Sequence, residues 1–324
     1  GTALGTITIS KSAGTTFSST VNAATIALTD SKVSTAVTFS DSVTATTGLT
    51  VGAGTAAYNV VFNGSSNTIA GATTFSNTGT VTFGDGSDTI AFTGGVTATA
   101  PSSRTINGTV SAAGTGVINL GTVSITGTST VGGTSTGQIT LGNATLATGT
   151  TLTVGAGAAT PITLGTINGS SGTPNLTINT TGAVSVGAVG STIGTVTVTQ
   201  SGGTTFNSTV SAATITLSNS TVSSNITFSG NVTATTGLTV SAGTAAYNVV
   251  FNGSSNTIAG ATTFANTGTV TFGNGGDTIA FTSGVIATAP SQVNIGGTVQ
   301  ATDSAISLGD ANTQIVITAN TVIS

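Results

Sequence analysis

The 324-residue sequence contains no cysteine, histidine, glutamate, methionine or tryptophan. Without cysteine the chain has neither disulfide bonds nor thiolate metal sites. A Ser-His-Asp triad, a cysteine nucleophile, a histidine-based zinc site and a glutamate-based glycosidase pair are all excluded by the same absences. We therefore predict that the protein is not an enzyme.

Charge is nearly absent as well. Three basic residues and seven aspartates make up 3% of the chain, for a net charge of −4. So few cations cannot neutralise a phosphate backbone, which argues against nucleic-acid partners. No run approaches the roughly 18 apolar residues of a membrane helix, so membrane insertion is not expected. Apolar residues nevertheless form 37% of the chain, enough to build a core.

The residues that are abundant favour β-structure. Threonine, valine, isoleucine and phenylalanine favour strands, whereas glycine, asparagine, aspartate and serine supply turns. The usual helix formers glutamate, lysine, arginine, glutamine and methionine are scarce or missing. The composition predicts an all-β fold.

A long internal repeat organises the sequence. The stretch Ala53–Phe75 recurs letter for letter as Ala242–Phe264, displaced by 242 − 53 = 189 positions, and all twelve phenylalanines obey this displacement. Residues 11–199 form the first long repeat, and residues 200–324 form a second, incomplete one. Without a visible linker, we expect residues 1–324 to be one continuous β-solenoid.

A shorter period lies inside the long one. Apolar strand phrases end at Phe17, Phe39, Phe62 and Phe83, in steps of about 21 to 23 residues, and nine turns per long repeat give 189/9 = 21 residues. This predicts a parallel β-helix of about 21 residues per turn, right-handed like most parallel connections. The competing fold is a row of β-sandwich modules, but these usually contain a buried tryptophan or tyrosine anchor and some charged outer faces, whereas this chain has no tryptophan and almost no charge.

Phrases such as GTVTF, ITLGNATL, TLTVGAG and NLTIN recur along essentially the whole chain. In this rhythm the sequence resembles bacterial β-strand-repeat surface proteins, which include autotransporter passenger domains, filamentous-haemagglutinin-type adhesins and rickettsial outer-membrane surface antigens. The resemblance implies a secreted bacterial protein that lies outside the cell, at its surface.

Two functional hypotheses follow. The first is a structural extracellular protein, a rigid β-helical rod or filament that acts as surface fibre, surface-layer component or adhesin stalk. The alternative is a β-helix that binds or cleaves polysaccharide through aspartates, as some β-helical enzymes do. The densest acidic group available for that chemistry is Asp30, Asp41, Asp85 and Asp88.

The sharpest local motif is GDGSDTIA at Gly84–Ala91, repeated as GNGGDTIA at Gly273–Ala280. It resembles the calcium-binding nonapeptide of RTX proteins, which implies Asp88 and Asp277 as candidate weak calcium ligands. In that family the motifs follow one another, whereas here each stands alone. The alternative is a glycine-rich corner turn in which the aspartate caps backbone N–H groups. Apart from calcium, no cofactor is expected.

Neither end of the sequence carries a polar capping element. The opening GTALGTITIS and the closing QIVITANTVIS both consist of strand phrases. Because an open turn is a template for strand addition, we expect self-association, end to end or lateral, or continuation into a longer polypeptide. A host or surface glycan is the other partner that an adhesin stalk implies.

Overall fold

The structure is a computed structural model that describes residues 3–324. Residues 1 and 2, with which the predicted solenoid begins, lie outside the described residues. All regular elements of residues 3–324 are β-strands, as the composition predicts. The chain forms two compact units, Gly1–Thr163 and Leu164–Ser324, called here the first and the second unit.

The strands are mostly short, but β9 and β28 each run for 13 residues. From the start of the first unit they are β1 Leu4–Ile9, β2 Thr15–Phe17, β3 Val21–Leu28, β4 Ala36–Phe39, β5 Val43–Val51, β6 Asn59–Phe62, β7 Ser66–Ile69, β8 Thr73–Thr74, β9 Thr80–Phe92, β10 Gly95–Thr97, β11 Ser103–Ala112, β12 Val117–Ile125, β13 Ser129–Gly133, β14 Ile139–Leu146, β15 Thr151–Val154 and β16 Ile162–Leu164. They continue as β17 Ile167–Gly169, β18 Asn175–Asn179, β19 Val184–Val186, β20 Val189–Gln200, β21 Thr204–Phe206, β22 Val210–Leu217, β23 Asn225–Phe228, β24 Val232–Val240, β25 Asn248–Phe251, β26 Ser255–Ile258, β27 Thr262–Thr263, β28 Thr269–Phe281, β29 Val285–Ile286, β30 Gln292–Ala301, β31 Ile306–Ser307, β32 Gln314–Ile317 and β33 Val322–Ile323.

Within each unit, strands pair in parallel with the equivalent strands of neighbouring turns. The separation of partners varies with loop length, for example from 215 − 196 = 19 positions for Val196 and Ile215 to 323 − 299 = 24 for Val299 and Ile323. The chain makes about 15 turns of about 22 residues, close to the predicted 21. Parallel stacking confirms the predicted β-solenoid and excludes a row of antiparallel sandwiches. The right-handed sense stays a prediction.

Alternation along each strand sorts the side chains into an inner and an outer row. In β4, Val37 and Phe39 are fully buried, whereas Thr38 between them faces outward. The same pattern runs through the ten residues of β11. Because side chains of a strand alternate between its two faces, the valine, isoleucine and phenylalanine positions form the core.

Phenylalanine rings form a ladder inside each unit. The ring centroids of Phe17 and Phe39 lie 5.1 Å apart, and those of Phe39 and Phe62 lie 5.2 Å apart, with the rings stacked. The second unit repeats the ladder, with 5.0 Å between Phe206 and Phe228. Since parallel neighbours are about 4.8 Å apart, rings placed at equivalent positions must stack at close to this distance.

A buried asparagine ties three turns together in each unit. The Asn67 side chain is 1% exposed, and its oxygen accepts a hydrogen bond from Val43 N at 3.1 Å. Its amide nitrogen donates to Gly64 O at 2.6 Å and to Thr89 O at 3.2 Å. Asn256 makes the equivalent three contacts in the second unit. A buried amide is retained here because its donors and its acceptor are satisfied.

Buried tyrosines anchor two loops. The Tyr58 hydroxyl donates to Gly52 O at 2.7 Å and to Leu28 O at 3.3 Å. Burial, with a smaller contribution from the charge of Asp30, raises the pKa of Tyr58 to about 12. Burial also raises the pKa of Tyr247, which makes the same contacts in the second unit. Both phenols therefore stay neutral donors at physiological pH.

At one pair of equivalent inward positions, both units carry a hydroxyl that lacks a hydrogen-bond partner. Thr73 and Thr262 are each 1% exposed, and their hydroxyl oxygens contact no donor or acceptor. Their parallel partners one turn later are Val96 and Val285. An unsatisfied buried hydroxyl destabilises the folded state, so valine fits these positions better than threonine.

We predict that Thr73→Val raises the free energy of unfolding by about 1 kcal/mol, because it removes a buried, unpaired hydroxyl without changing side-chain shape. Urea denaturation measures the change, and Thr262→Val should repeat it. The outward Thr38→Val is the control and should stay within about 0.5 kcal/mol of the parent. Destabilisation by both inward variants would contradict the assignment of these hydroxyls as unpaired.

Candidate functional site

The glycine-rich motif Gly84–Ala91 lies inside β9. The sequence predicts a corner turn at this place, and the structure has an irregularity within one long strand. The two halves of that strand pair with separate strands, β6 and β7, so the motif lies opposite the connection between them. Phe83 pairs with Ile106 and Asp88 pairs with Gly108, so 88 − 83 = 5 positions of β9 lie opposite 108 − 106 = 2 positions of β11. The additional residues form the bulge, a device that re-aims side chains locally.

Glycine is required where this bulge begins. Gly84 has φ of 83°, and a Cβ atom there would lie 2.3 Å from Asn107 O. Gly273 has φ of 78° at the equivalent place in the second unit. Residues with a side chain disfavour this backbone region, so the glycine fixes the geometry of both bulges.

Each bulge is closed by a buried carboxylate. Asp88 is 7% exposed, and its Oδ2 accepts a hydrogen bond from Asp85 N at 2.8 Å. In the second unit Asp277 is 6% exposed, and its Oδ2 accepts from Asn274 N at 2.7 Å. This is the contact that the capping interpretation requires, and it is present at both copies of the motif.

The acidic groups around the bulge are few. Desolvation, followed by the hydrogen bond and the charge of Asp88, raises the pKa of Asp85. The second unit has Asn274 in place of Asp85, so only Asp277 remains there. Among residues 3–324 no three histidine, cysteine, aspartate or glutamate side chains are grouped as metal ligands. Since calcium takes about six to eight oxygens, an ion here would depend mainly on carbonyls and water and would bind weakly.

The remaining aspartates of the predicted acidic group serve their own loops. Both carboxylate oxygens of Asp30 are engaged by Thr55, with Oδ1 accepting from its backbone N–H at 3.0 Å and Oδ2 from its hydroxyl at 2.7 Å. Asp41 Oδ1 accepts from Ser42 N at 2.6 Å. The described chain thus brings Asp85 and Asp88 together but does not gather these four aspartates into one acidic groove.

The hydrogen bonds from Thr55 change the pKa of Asp30. The hydrogen bond from the Thr55 hydroxyl, supported by the one from its backbone N–H, lowers the pKa of Asp30. The second unit has the neutral equivalent, in which Asn219 Oδ1 accepts from Thr244 N at 3.1 Å. The loop is therefore held by the same geometry with or without a charge.

Arg104 is a buried cation that sequence reasoning missed. It is 7% exposed, its Nε donates to Thr122 O at 3.0 Å, and a terminal nitrogen donates to Pro101 O. Burial lowers the pKa of its guanidinium. The repeat indicated this burial, because the position equivalent to Arg104, 104 + 189 = 293, holds Val293, which is a core residue.

Comparison of the chain with models of known protein families, with curated proteins and with solved structures finds no match. Residues 3–324 include no helix of the length and hydrophobicity needed to cross a membrane. The fold alone therefore defines the class of the molecule, a parallel β-solenoid protein.

The calcium hypothesis predicts that millimolar calcium raises the melting temperature, because an ion bound only to the folded chain stabilises it in proportion to ln(1 + [L]/Kd). Differential scanning calorimetry measures the shift. An Asp88→Asn, Asp277→Asn double variant keeps an oxygen for each cap and should lose the shift. If the parent does not respond, or if the double variant responds equally, the carboxylates act as hydrogen-bonding caps alone.

We predict that Thr55→Val raises the pKa of Asp30 towards its ordinary value, because the hydroxyl that stabilises the carboxylate is lost. A depressed pKa gives stability that is present above the unfolded-state pKa of about 3.9 and is lost as pH falls through the folded-state value. Carbon-13 NMR titration of the aspartates measures the midpoint. Thr244→Val, beside the neutral Asn219, is the control, and an unmoved Asp30 midpoint in Thr55→Val would refute the assignment.

Proposed function

We propose that the protein is a structural extracellular protein, a rigid β-helical rod that serves at the cell surface as fibre, surface-layer component or adhesin stalk. The observation that carries the proposal is the stacking of equivalent residues on successive turns. In both units the centroids of stacked phenylalanine rings lie 5.0 to 5.2 Å apart. Each turn contacts its neighbours through backbone pairing and through the core. Such repetition suits a load-bearing element better than a catalyst.

The composition of the surface supports an exposed location. Trypsin-like proteases cleave after lysine and arginine, and the chain has only three such residues. Arg104 is buried, which leaves Lys11 and Lys32 as exposed sites. A protein outside a bacterial cell benefits from so few accessible cleavage points.

The proposal includes self-association. In the last described turn, Ile315 and Ile317 pair with Val293 and Ile295 and continue their rows. They are 44% and 57% exposed, whereas their partners are fully buried. A further turn laid over them would bury this apolar surface, and we propose that another copy of the chain supplies it. Weak charge repulsion between uncharged faces would also favour lateral association.

The alternative function is binding or cleavage of polysaccharide through aspartates, and an activity assay distinguishes cleavage from the structural role. A reducing-sugar assay on acidic and neutral polysaccharides should show no turnover. Turnover that is abolished by Asp88→Asn but retained in Asp41→Asn would overturn the structural proposal and identify a catalytic carboxylate.

We predict that the native protein forms filaments in which turns of adjacent molecules stack, visible by electron microscopy and as large species in sedimentation velocity. The double variant Ile315→Lys, Ile317→Lys should shorten them, because two charges would have to be buried at each junction. Thr16→Lys, on an outward position, is the control and should leave the length unchanged. Separate capped rods on the order of 70 Å, from about 15 turns at about 4.8 Å each, would refute stacking.

A further inference from the structure

Three loops on successive turns of the first unit enclose a groove of about 510 Å³. The loops are residues 10–14, 29–35 and 52–58, and all three lie outside the strands. Two lysines, Lys11 and Lys32, line the groove. We call this feature the lysine groove.

The lysine groove concentrates the scarce charge of the chain. It contains two of the three basic residues in 324 positions, and the third, Arg104, is buried. Lys11 and Lys32 are both exposed. Both of the basic side chains that a ligand can reach therefore lie in this groove.

Asp30 is the one acidic residue that lines the groove, and its carboxylate is engaged by groups other than the lysines. Asp30 uses Oδ1 and Oδ2 for the backbone N–H and the hydroxyl of Thr55. The charge of Lys11 is the smallest of the contributions that lower the pKa of Asp30. Two ammonium groups against one hydrogen-bonded carboxylate leave a net positive groove on a net negative protein.

Hydroxyl groups hold the loops in place. Ser31 Oγ lies 2.8 Å from Ser12 Oγ and 2.9 Å from Thr35 Oγ1. The backbone N–H of Lys32 donates to Ser12 O at 2.8 Å, and the Thr35 hydroxyl donates to Lys32 O at 2.6 Å. The backbone that carries Lys32 is thereby fixed before any ligand arrives, which reduces the entropic cost of binding.

The second unit contains the same loops without the charges. Ser220 Oγ lies 2.9 Å from Ser201 Oγ and 2.7 Å from Ser224 Oγ, which reproduces the hydroxyl network. The positions equivalent to Lys11 and Lys32, each 189 residues later, are Gln200 and Thr221. Since the loops form in the same way without lysines, the lysines are not needed to build them.

Exposed lysines that the scaffold does not need indicate a ligand. We propose that the lysine groove binds a carboxylate-bearing sugar unit of an acidic polysaccharide. The ammonium groups of Lys11 and Lys32 pair with the carboxylate. Val33, which is 57% exposed at the edge of the groove, packs against the C–H face of the ring. This site goes beyond the structural role and does not rest on it.

An acidic peptide fits the groove less well. Peptides that bind β-proteins commonly add a strand to an open sheet edge, and the groove is walled by loops. Three of the lining residues, Asp30, Lys32 and Thr55, already use their backbone N–H groups, which bond to Ile9 O, Ser12 O and Asp30 Oδ1. Side-chain charge and hydroxyls remain for recognition, a set suited to a sugar acid.

The test uses a short oligogalacturonate, a polymer of carboxylated hexoses, titrated into the full chain in low-salt buffer by isothermal calorimetry. We expect one site per chain, weakened as salt rises. A neutral oligosaccharide of equal length and an oligoglutamate peptide are the comparison ligands and should bind at least about tenfold more weakly. Absence of oligogalacturonate binding, or equal binding of either comparison ligand, overturns the proposal.

The two units supply matched variants. Lys11→Gln with Lys32→Thr copies the second unit onto the first and should weaken binding by about tenfold or more without loss of folding. Gln200→Lys with Thr221→Lys makes the reciprocal change, and we expect the stoichiometry to rise from one site to two. Unchanged binding in the first variant, or unchanged stoichiometry in the second, contradicts the assignment of the lysine groove. Neither result would alter the filament experiment, so the two proposals fail separately.

Discussion

Parallel pairing between successive turns is the constraint on which the rest of the structure depends. Once a strand is paired with its equivalent one turn later, the residue at each inward position meets its counterpart at the strand spacing, and the rows of the core follow. Phe39 and Phe62 stack at 5.2 Å for this reason. Loops of different length are tolerated, because the register is restored by the next strand.

The same constraint explains how polar groups enter the core. Asn67 is acceptable inside because the turns below and above present a donor at Val43 and an acceptor at Thr89, and the repeat of these contacts at Asn256 shows that the turns are built to one plan. Where no partner is supplied, as at Thr73, the hydroxyl stays unsatisfied. The outward residues are then free to vary. The loops of the lysine groove and the equivalent loops of the second unit share one hydroxyl network, but only those of the first unit carry lysines.

The sequence predicted the parts of the fold that repeat. The spacing of Phe17, Phe39 and Phe62 indicated the turn length, and alternation indicated which residues face inward. At Gly84–Asp88 the sequence predicted a corner but not the long strand that runs through it, because turn chemistry is visible in a sequence whereas the pairing of strands is not. The burial of Arg104 was missed although Val293 marked the position. The groove could not be predicted, since Lys11 and Lys32 come together through register between loops of different turns.

The most direct test compares how much free energy of unfolding is lost when a phenylalanine is removed from the middle of the ladder and from its edge. Phe62 is fully buried, with stacked rings on both sides, whereas Phe17 is partly exposed. Urea denaturation should show that Phe62→Ala lowers the free energy of unfolding by about 3 to 5 kcal/mol, with a smaller loss for Phe17→Ala. If the two losses are equal, or if Phe62→Ala costs less than about 1 kcal/mol, stacking between turns is not what holds the solenoid together.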